Sequence, residues 1–172
     1  MRVVIYHEVR PETLGQVLKE GIKRNSQGQK SDSVVQRTDE CLEGRIPEKL
    51  SARGVSRGEV VYGFMSHGTD LIDIHNGKAV PVTHFSAERD LVLLRITVDS
   101  TKCFVSDLDA YDAVKMSVKT GADDTMLSRL CERYWERILP LEEYQDGRYR
   151  RPEIMVVSDI DPDDIDVVTA GG

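Results

Sequence analysis

Two stretches decide the fold: Arg150-Arg151-Pro152-Glu153-Ile154-Met155-Val156-Val157 near the end of the chain, and Ile5-Tyr6-His7 near its start. Ile154 to Val157 is a short apolar run of the kind that forms a buried strand. Glu153 heads it, so a carboxylate stands at the strand's mouth. Val3-Val4-Ile5 is a second such run, β-branched throughout, and His7 stands at its end. Polar groups at the ends of buried strands are where a rigid scaffold commonly carries its chemistry. The expectation is that these two strands lie side by side and that His7 and Glu153 share a cleft.

The rest of the chain is read outward from these segments. Pro11 suits a first helical position, and Leu14, Val17, Leu18 and Ile22 recur at helical spacing. The first helix is therefore expected from Glu12 to Glu20, with Gly21 as a left-handed stop. Lys23 to Val35 is rich in Ser, Gln and Gly and reads as a mobile loop. Short helical pieces begin near Asp39 and near Pro47, the second ending near Gly54. Glu59 to Met65 reads as a strand carrying Tyr62. Asn76-Gly77 is a two-residue hairpin turn between Leu71–His75 and Lys78–Val82, and Pro81 makes the second arm an edge strand.

Asp90 to Val98 is the strongest strand, and Cys103 to Val105 is a shorter one. Helices are expected over Leu108–Val118 and Asp124–Ile138. The second has Met126, Leu127, Leu130, Tyr134 and Ile138 on one stripe and is stopped by Pro140. Ile165 to Val168 is the last strand. Strands and helices alternate without a βαβ rhythm, and a hairpin is present, which favours α+β. One domain over residues 1–168 is expected, with a tail at 169–172.

Composition narrows the class. The chain has 172 residues, 40% hydrophobic and 31% charged, enough for one soluble domain with a core. No apolar run approaches the ~20 residues of a membrane span, no membrane partner is expected, and the N-terminus shows no secretory pattern. A cytoplasmic location is the default. Cys41, Cys103 and Cys131 fit neither a zinc spacing nor a disulfide framework. The net charge of −7 disfavours nonspecific nucleic-acid binding. Five aspartates between Asp159 and Asp166 read as a solvated turn, because the glycine and final glutamate of an EF-hand are missing. His67, His75 and His84 match no ligand spacing, so no metal is expected. Ser66-His67 lacks the Gly-x-Ser-x-Gly context of a hydrolase. No dinucleotide-binding glycine fingerprint or phosphate loop is present.

Three stretches carry a resemblance. Tyr6-His7 followed by Leu14-Gly15-Gln16-Val17-Leu18-Lys19-Glu20-Gly21-Ile22 is one. Val60-Val61-Tyr62-Gly63-Phe64 is the second. Arg151-Pro152-Glu153-Ile154-Met155-Val156-Val157, followed by Ile160-Asp161-Pro162-Asp163-Asp164-Ile165, is the third. In this order they resemble the ADP-ribosyltransferase-like fold of mono-ADP-ribosylating toxins and poly-ADP-ribose polymerases, in its His-Tyr-Glu class. The closing segment is similar to that of toxins that ADP-ribosylate DNA. The resemblance implies a split, mainly antiparallel sheet with flanking helices. It also implies transfer of ADP-ribose from NAD, as substrate, to a nucleic-acid or protein acceptor, with an antitoxin left open as a further partner. An NAD glycohydrolase, an RNA 2′-phosphotransferase-like enzyme and a non-catalytic nucleotide- or protein-binding domain of the same fold remain alternatives. The middle of the chain matches nothing beyond Tyr62, and the basic groove of a DNA-modifying member is not evident.

The resemblance assigns roles residue by residue. His7 would bond the adenosine ribose; otherwise it is a histidine satisfied at a strand end. Tyr62 would stack on nicotinamide; otherwise it is a core tyrosine. Glu153 would be the catalytic carboxylate, stabilising an oxocarbenium-like ribose; otherwise it is a surface glutamate paired with Arg150 or Arg151. Arg57 would meet the pyrophosphate or ribose; otherwise it is a solvated loop arginine. Arg148, Arg150 and Arg151 would contact the acceptor or serve as solubilising charge. The loop Lys23–Val35 would flank the nucleotide and order on binding.

Overall fold

The computed structural model describes residues 1–24, 32–85 and 90–169. In chain order the described elements are β1 (Arg2–Val9), α1 (Leu14–Glu20), α2 (Ser33–Glu43), α3 (Glu48–Ser51), β2 (Val61–Phe64), β3 (Ser66–His67), β4 (Asp70–Ile72) and β5 (Ala79–Pro81). There follow β6 (Val92–Asp99), β7 (Cys103–Asp107), α4 (Leu108–Thr120), α5 (Asp124–Glu136), β8 (Leu139–Pro140), β9 (Pro152–Val156) and β10 (Ile165–Val167).

Seven strands form one sheet in the order β10-β6-β1-β2-β9-β7-β8, and β3-β4-β5 form a second. Every pairing between these strands is antiparallel. The architecture is mixed α and β, an antiparallel sheet with flanking helices.

Alternation along the strands sorts the two faces of the large sheet. Ile5, Val61, Val105, Ile154 and Val156 point to one face, where Leu14 and Val17 of α1 join them. Phe104 and Met155, offset by one residue, point to the other, where Leu42, Val114, Tyr134 and Trp135 of α2, α4 and α5 cover them. The period-2 pattern of β9 thus serves two cores at once, which is why Ile154 to Val156 are all apolar. Each of these three helices starts at an aspartate whose side chain accepts backbone N–H bonds: Asp32, Asp107 and Asp123. The small sheet packs through Leu71 onto Phe64, Phe85 and Leu93 at one end.

Several expectations are corrected. The first and last of the deciding strands are not neighbours, because β2 lies between β1 and β9. His7 is inside β1, which runs on to Val9. Ser33 to Val35 begin α2, so the polar loop is shorter than its composition implies; residues 25–31 of it lie outside the described residues. The Asn76-Gly77 turn is not two residues long. Ile72 pairs with Ala79, and six residues connect them, closed by Gly77 N–H on the Asp73 carbonyl. The side chain of Asp73 also accepts from His75 N–H, and this competing local bond widens the turn. Pro81 does lie on an edge strand. Met126 leaves the buried stripe of α5 and is 49% exposed, while Cys131 and Trp135 take its place.

Two glycines are fixed by close approach. Gly21 has φ +77°, and a Cβ there would stand 2.0 Å from the Ile160 carbonyl oxygen. That contact is the bridge Ile22–Ile160, which joins the end of α1 to the closing segment. A Cβ on Gly63 would meet the Tyr6 carbonyl oxygen and Ile5 Cδ1, each at 3.0 Å. Gly63→Ala should therefore destabilise by about 1–3 kcal/mol. Gly15→Ala, in α1 with open space around it, should stabilise by roughly 0.5–1 kcal/mol. Urea unfolding of the two variants checks both signs.

Candidate functional site

The strands β1 and β2 pair at a single position, Tyr6 with Phe64. Extending the ladder would bring Glu8 opposite Tyr62, but that pairing does not form. Instead the His7 ring fills the gap, with Nδ1 2.6 Å from the Tyr62 carbonyl oxygen. Burial lowers the His7 pKa, and the bond to the Tyr62 carbonyl works in the opposite direction without cancelling it. A neutral ring that donates from Nδ1 keeps Nε2 as an acceptor, ready for a ligand hydroxyl.

A cavity of about 180 Å³ opens at this parting, lined by His7, Glu8, Tyr62, Gly63, Phe64, Ile74 and Glu153. Three of the four residues picked from the sequence thus meet at one place, although they come from three strands. Glu153 is 8% exposed. Its Oε1 accepts from Arg57 Nη1 at 3.2 Å and from Ser106 Oγ at 3.3 Å. Both bonds land on one oxygen, which leaves Oε2 for a ligand. The reading of Glu153 as a surface charge paired with Arg150 or Arg151 is therefore corrected.

Arg57 is not a solvated loop residue, nor does it line the cavity. It is 6% exposed and lies behind Glu153. Its Nε donates to Asp39 Oδ1 at 3.2 Å and its Nη1 to the Tyr134 hydroxyl at 2.9 Å. Its guanidinium carbon lies 4.4 Å from the centre of the Tyr111 ring and 4.7 Å from that of Tyr62. Burial opposes the Arg57 charge, but Tyr134, Tyr62 and Glu153 around it more than offset this, and the guanidinium stays protonated. Burial also raises the phenol pKa values of Tyr62 and Tyr134, keeping both neutral.

Tyr62 is at once a packing and a cavity residue. Its hydroxyl donates to the Arg57 carbonyl and its ring rests on the Arg57 guanidinium, while the residue also lines the cavity. Asp39, Tyr111, Tyr134 and Ser106 complete the cluster and were not found from the sequence. Asp39 lay on a helix whose start was placed six residues late. Tyr134 read as an ordinary apolar stripe position, and Tyr111 lay in the expected Leu108–Val118 helix without being singled out.

The closing arginines hold structure together. Arg150 pairs with Asp109; Arg151 pairs with Asp109 and Asp112 and donates to the Ile74 carbonyl. They fasten α4 and the β4–β5 connection beside Glu153. Three of the five aspartates of the closing turn are likewise paired: Asp159 with Lys23 and Arg24, Asp164 with Arg2, Asp166 with Arg95. A larger cavity of about 460 Å³, lined by His67, Tyr144, Asp146 and Pro152 among others, opens on the side to which Pro152 points, away from Glu153. No helix among the described residues is long and apolar enough to cross a membrane.

Comparison of the chain with protein-family models, curated proteins and solved structures finds no match in any of the three.

Two outcomes follow from the cluster. Arg57→Met leaves Asp39 and Glu153 buried without their shared cation and should cost about 3–5 kcal/mol in denaturant unfolding. His7 titrates at about 6.5 in the unfolded chain and lower in the folded one. Its contribution to stability is therefore present above about pH 6.5 and lost as pH falls through the folded value. The pH profile of unfolding should lose that acid-side slope in His7→Gln.

Proposed function

We propose that the chain is an NAD-dependent mono-ADP-ribosyltransferase that moves ADP-ribose from NAD to a macromolecular acceptor. One observation carries the reading: His7, Tyr62 and Glu153 line a single cavity at the parting of β1 and β2. The antiparallel sheet with flanking helices is compatible with the fold that the resemblance implies.

The cavity is smaller than the usual range of about 300–1,000 Å³ for a whole ligand. It suits the nicotinamide-ribose end of NAD. At about 180 Å³ it leaves the pyrophosphate and adenosine outside. His7 then orients a ribose hydroxyl at the lip through Nε2. Glu153, held through Oε1, presents Oε2 to the ribose of the nicotinamide end.

The glycosidic bond breaks with its electron pair passing to the ring nitrogen, so nicotinamide leaves neutral. Positive charge develops on the ribose, and the Glu153 carboxylate stabilises it. The acceptor nucleophile then bonds to the ribose carbon and loses its proton. Because Arg57 and Ser106 fix the carboxylate before the reaction, little reorganisation is needed as the charge appears.

Glu153→Gln keeps shape and hydrogen bonding but removes the charge. Single-turnover nicotinamide release should fall by ~10²-fold or more, while NAD affinity changes far less. His7→Ala should instead weaken NAD binding. Wild-type release in Glu153→Gln would remove the assignment, and a wild type that releases no nicotinamide with any protein, DNA or RNA acceptor would remove the function.

A further inference from the structure

Six of the seven described residues that line the cavity belong to the large sheet: His7 and Glu8 on β1, Tyr62, Gly63 and Phe64 on β2, and Glu153 on β9. Ile74 is the exception. It lies in the connection between β4 and β5, so a loop carries this part of the wall and strand pairing does not position it. Other contacts do. The half-buried Ile74 side chain packs against both the helical core and the core beside the small sheet. Its carbonyl accepts from Arg151 Nε. The Arg151 side chain is only 13% exposed, and its Nη1 donates to Asp109 at 3.2 Å and to Asp112, both on α4. One guanidinium thus spans from α4 to the connection. Arg150 grips the same connection: its Nη1 donates to the Asn76 carbonyl at 3.3 Å, and a Cβ on Gly77 would stand 2.6 Å from the Arg150 carbonyl oxygen. The short segment that delivers Glu153 therefore also sets the loop wall.

We infer that Ile74, positioned by Arg151, limits this cavity to a single six-membered ring and shuts out fused two-ring systems. The inference rests on the cavity being the ligand site proposed above, not on its catalysing a reaction. The space is small, about 180 Å³. A β-branched side chain is stiff at χ1, and close-packed apolar walls yield little, so an anchored Ile74 sets a firm limit on ring size. Arg151 is a positioning residue: it holds the Ile74 backbone and does not line the cavity. Its planar fork reaches α4 and the connection at once, which the point charge of a lysine does not.

The probes are nicotinamide and quinoline-3-carboxamide, which keeps the ring nitrogen and the carboxamide and adds one fused ring. Calorimetric titration of the wild type should show nicotinamide bound about tenfold more tightly or better. Ile74→Ala should cut that preference by about tenfold, through gain of the two-ring probe. Arg151→Lys keeps the charge facing Asp109 and Asp112 but loses the fork, and part of the preference should go in the same direction. Asp112→Ala, at a side chain 47% exposed, loosens Arg151 from its far end; it should shift the preference the same way and decides the case if Arg151→Lys does not fold. Equal or absent binding of the two probes to the wild type would overturn the inference. So would parallel weakening of both probes in Ile74→Ala or Arg151→Lys, the mark of a merely structural role, or an unchanged preference in the folded variants. Nicotinamide release from NAD by the same wild-type sample separates the two claims. A ring-selective but inactive protein keeps this inference and removes the transferase reading. An active protein without ring selectivity does the reverse.

Discussion

A guanidinium buried between two carboxylates ties this molecule together. Arg57 reaches Asp39 on α2 and Glu153 on β9, while Tyr134 of α5 and Tyr111 of α4 close around it. Three helices and the central strands are therefore joined at one polar point inside an otherwise apolar layer. Ion pairs at such depth recover their desolvation cost only when geometry and extra hydrogen bonds are good. Here Ser106 and the tyrosine hydroxyls supply those bonds. The arrangement is better understood as fixing the position of Glu153 than as a source of net stability.

The second constraint is the parting of β1 from β2. Gly63 lets the two backbones approach at Tyr6, and beyond that point the ladder stops. The His7 ring takes over the bond to the Tyr62 carbonyl that a ladder N–H would have made. A backbone acceptor is satisfied by a side chain, as burial demands, and the opened lip becomes a cavity wall. The same substitution fixes which ring nitrogen of His7 faces outward. Fold and site thus arise from one local departure from regular pairing.

Strong local patterns were legible in the sequence. The apolar runs of β1, β6 and β9, the Pro11 and Gly21 boundaries of the first helix and the Pro81 edge all follow from periodicity and backbone chemistry. His7 and Glu153 stood out as polar groups at the ends of apolar strands, Tyr62 came from a resemblance, and the three residues line one cavity. What was not legible depends on contacts distant in sequence. Arg57 sits in a run of Ser, Gly and Arg that reads as an exposed loop, and only the helices that close over it make it a core residue. Asp39 looks like any polar position of an amphipathic helix until Arg57 is opposite it. The Asn76-Gly77 signal was real, but Asp73 captured the backbone and enlarged the loop. The insertion of β2 between β1 and β9 had no local signature at all.

The central claim is that the parting of β1 and β2 holds the nicotinamide-ribose end of NAD against Glu153. The most direct measurement is a crystal structure of the wild-type protein with an NAD analogue whose glycosidic bond does not break. The account predicts the nicotinamide ring in the cavity bounded by Tyr62 and Phe64, with a ribose hydroxyl within hydrogen-bonding distance of Glu153 Oε2 and the pyrophosphate outside. An analogue seated instead in the larger cavity beside His67 and Tyr144, with the parting of β1 and β2 empty, would contradict it.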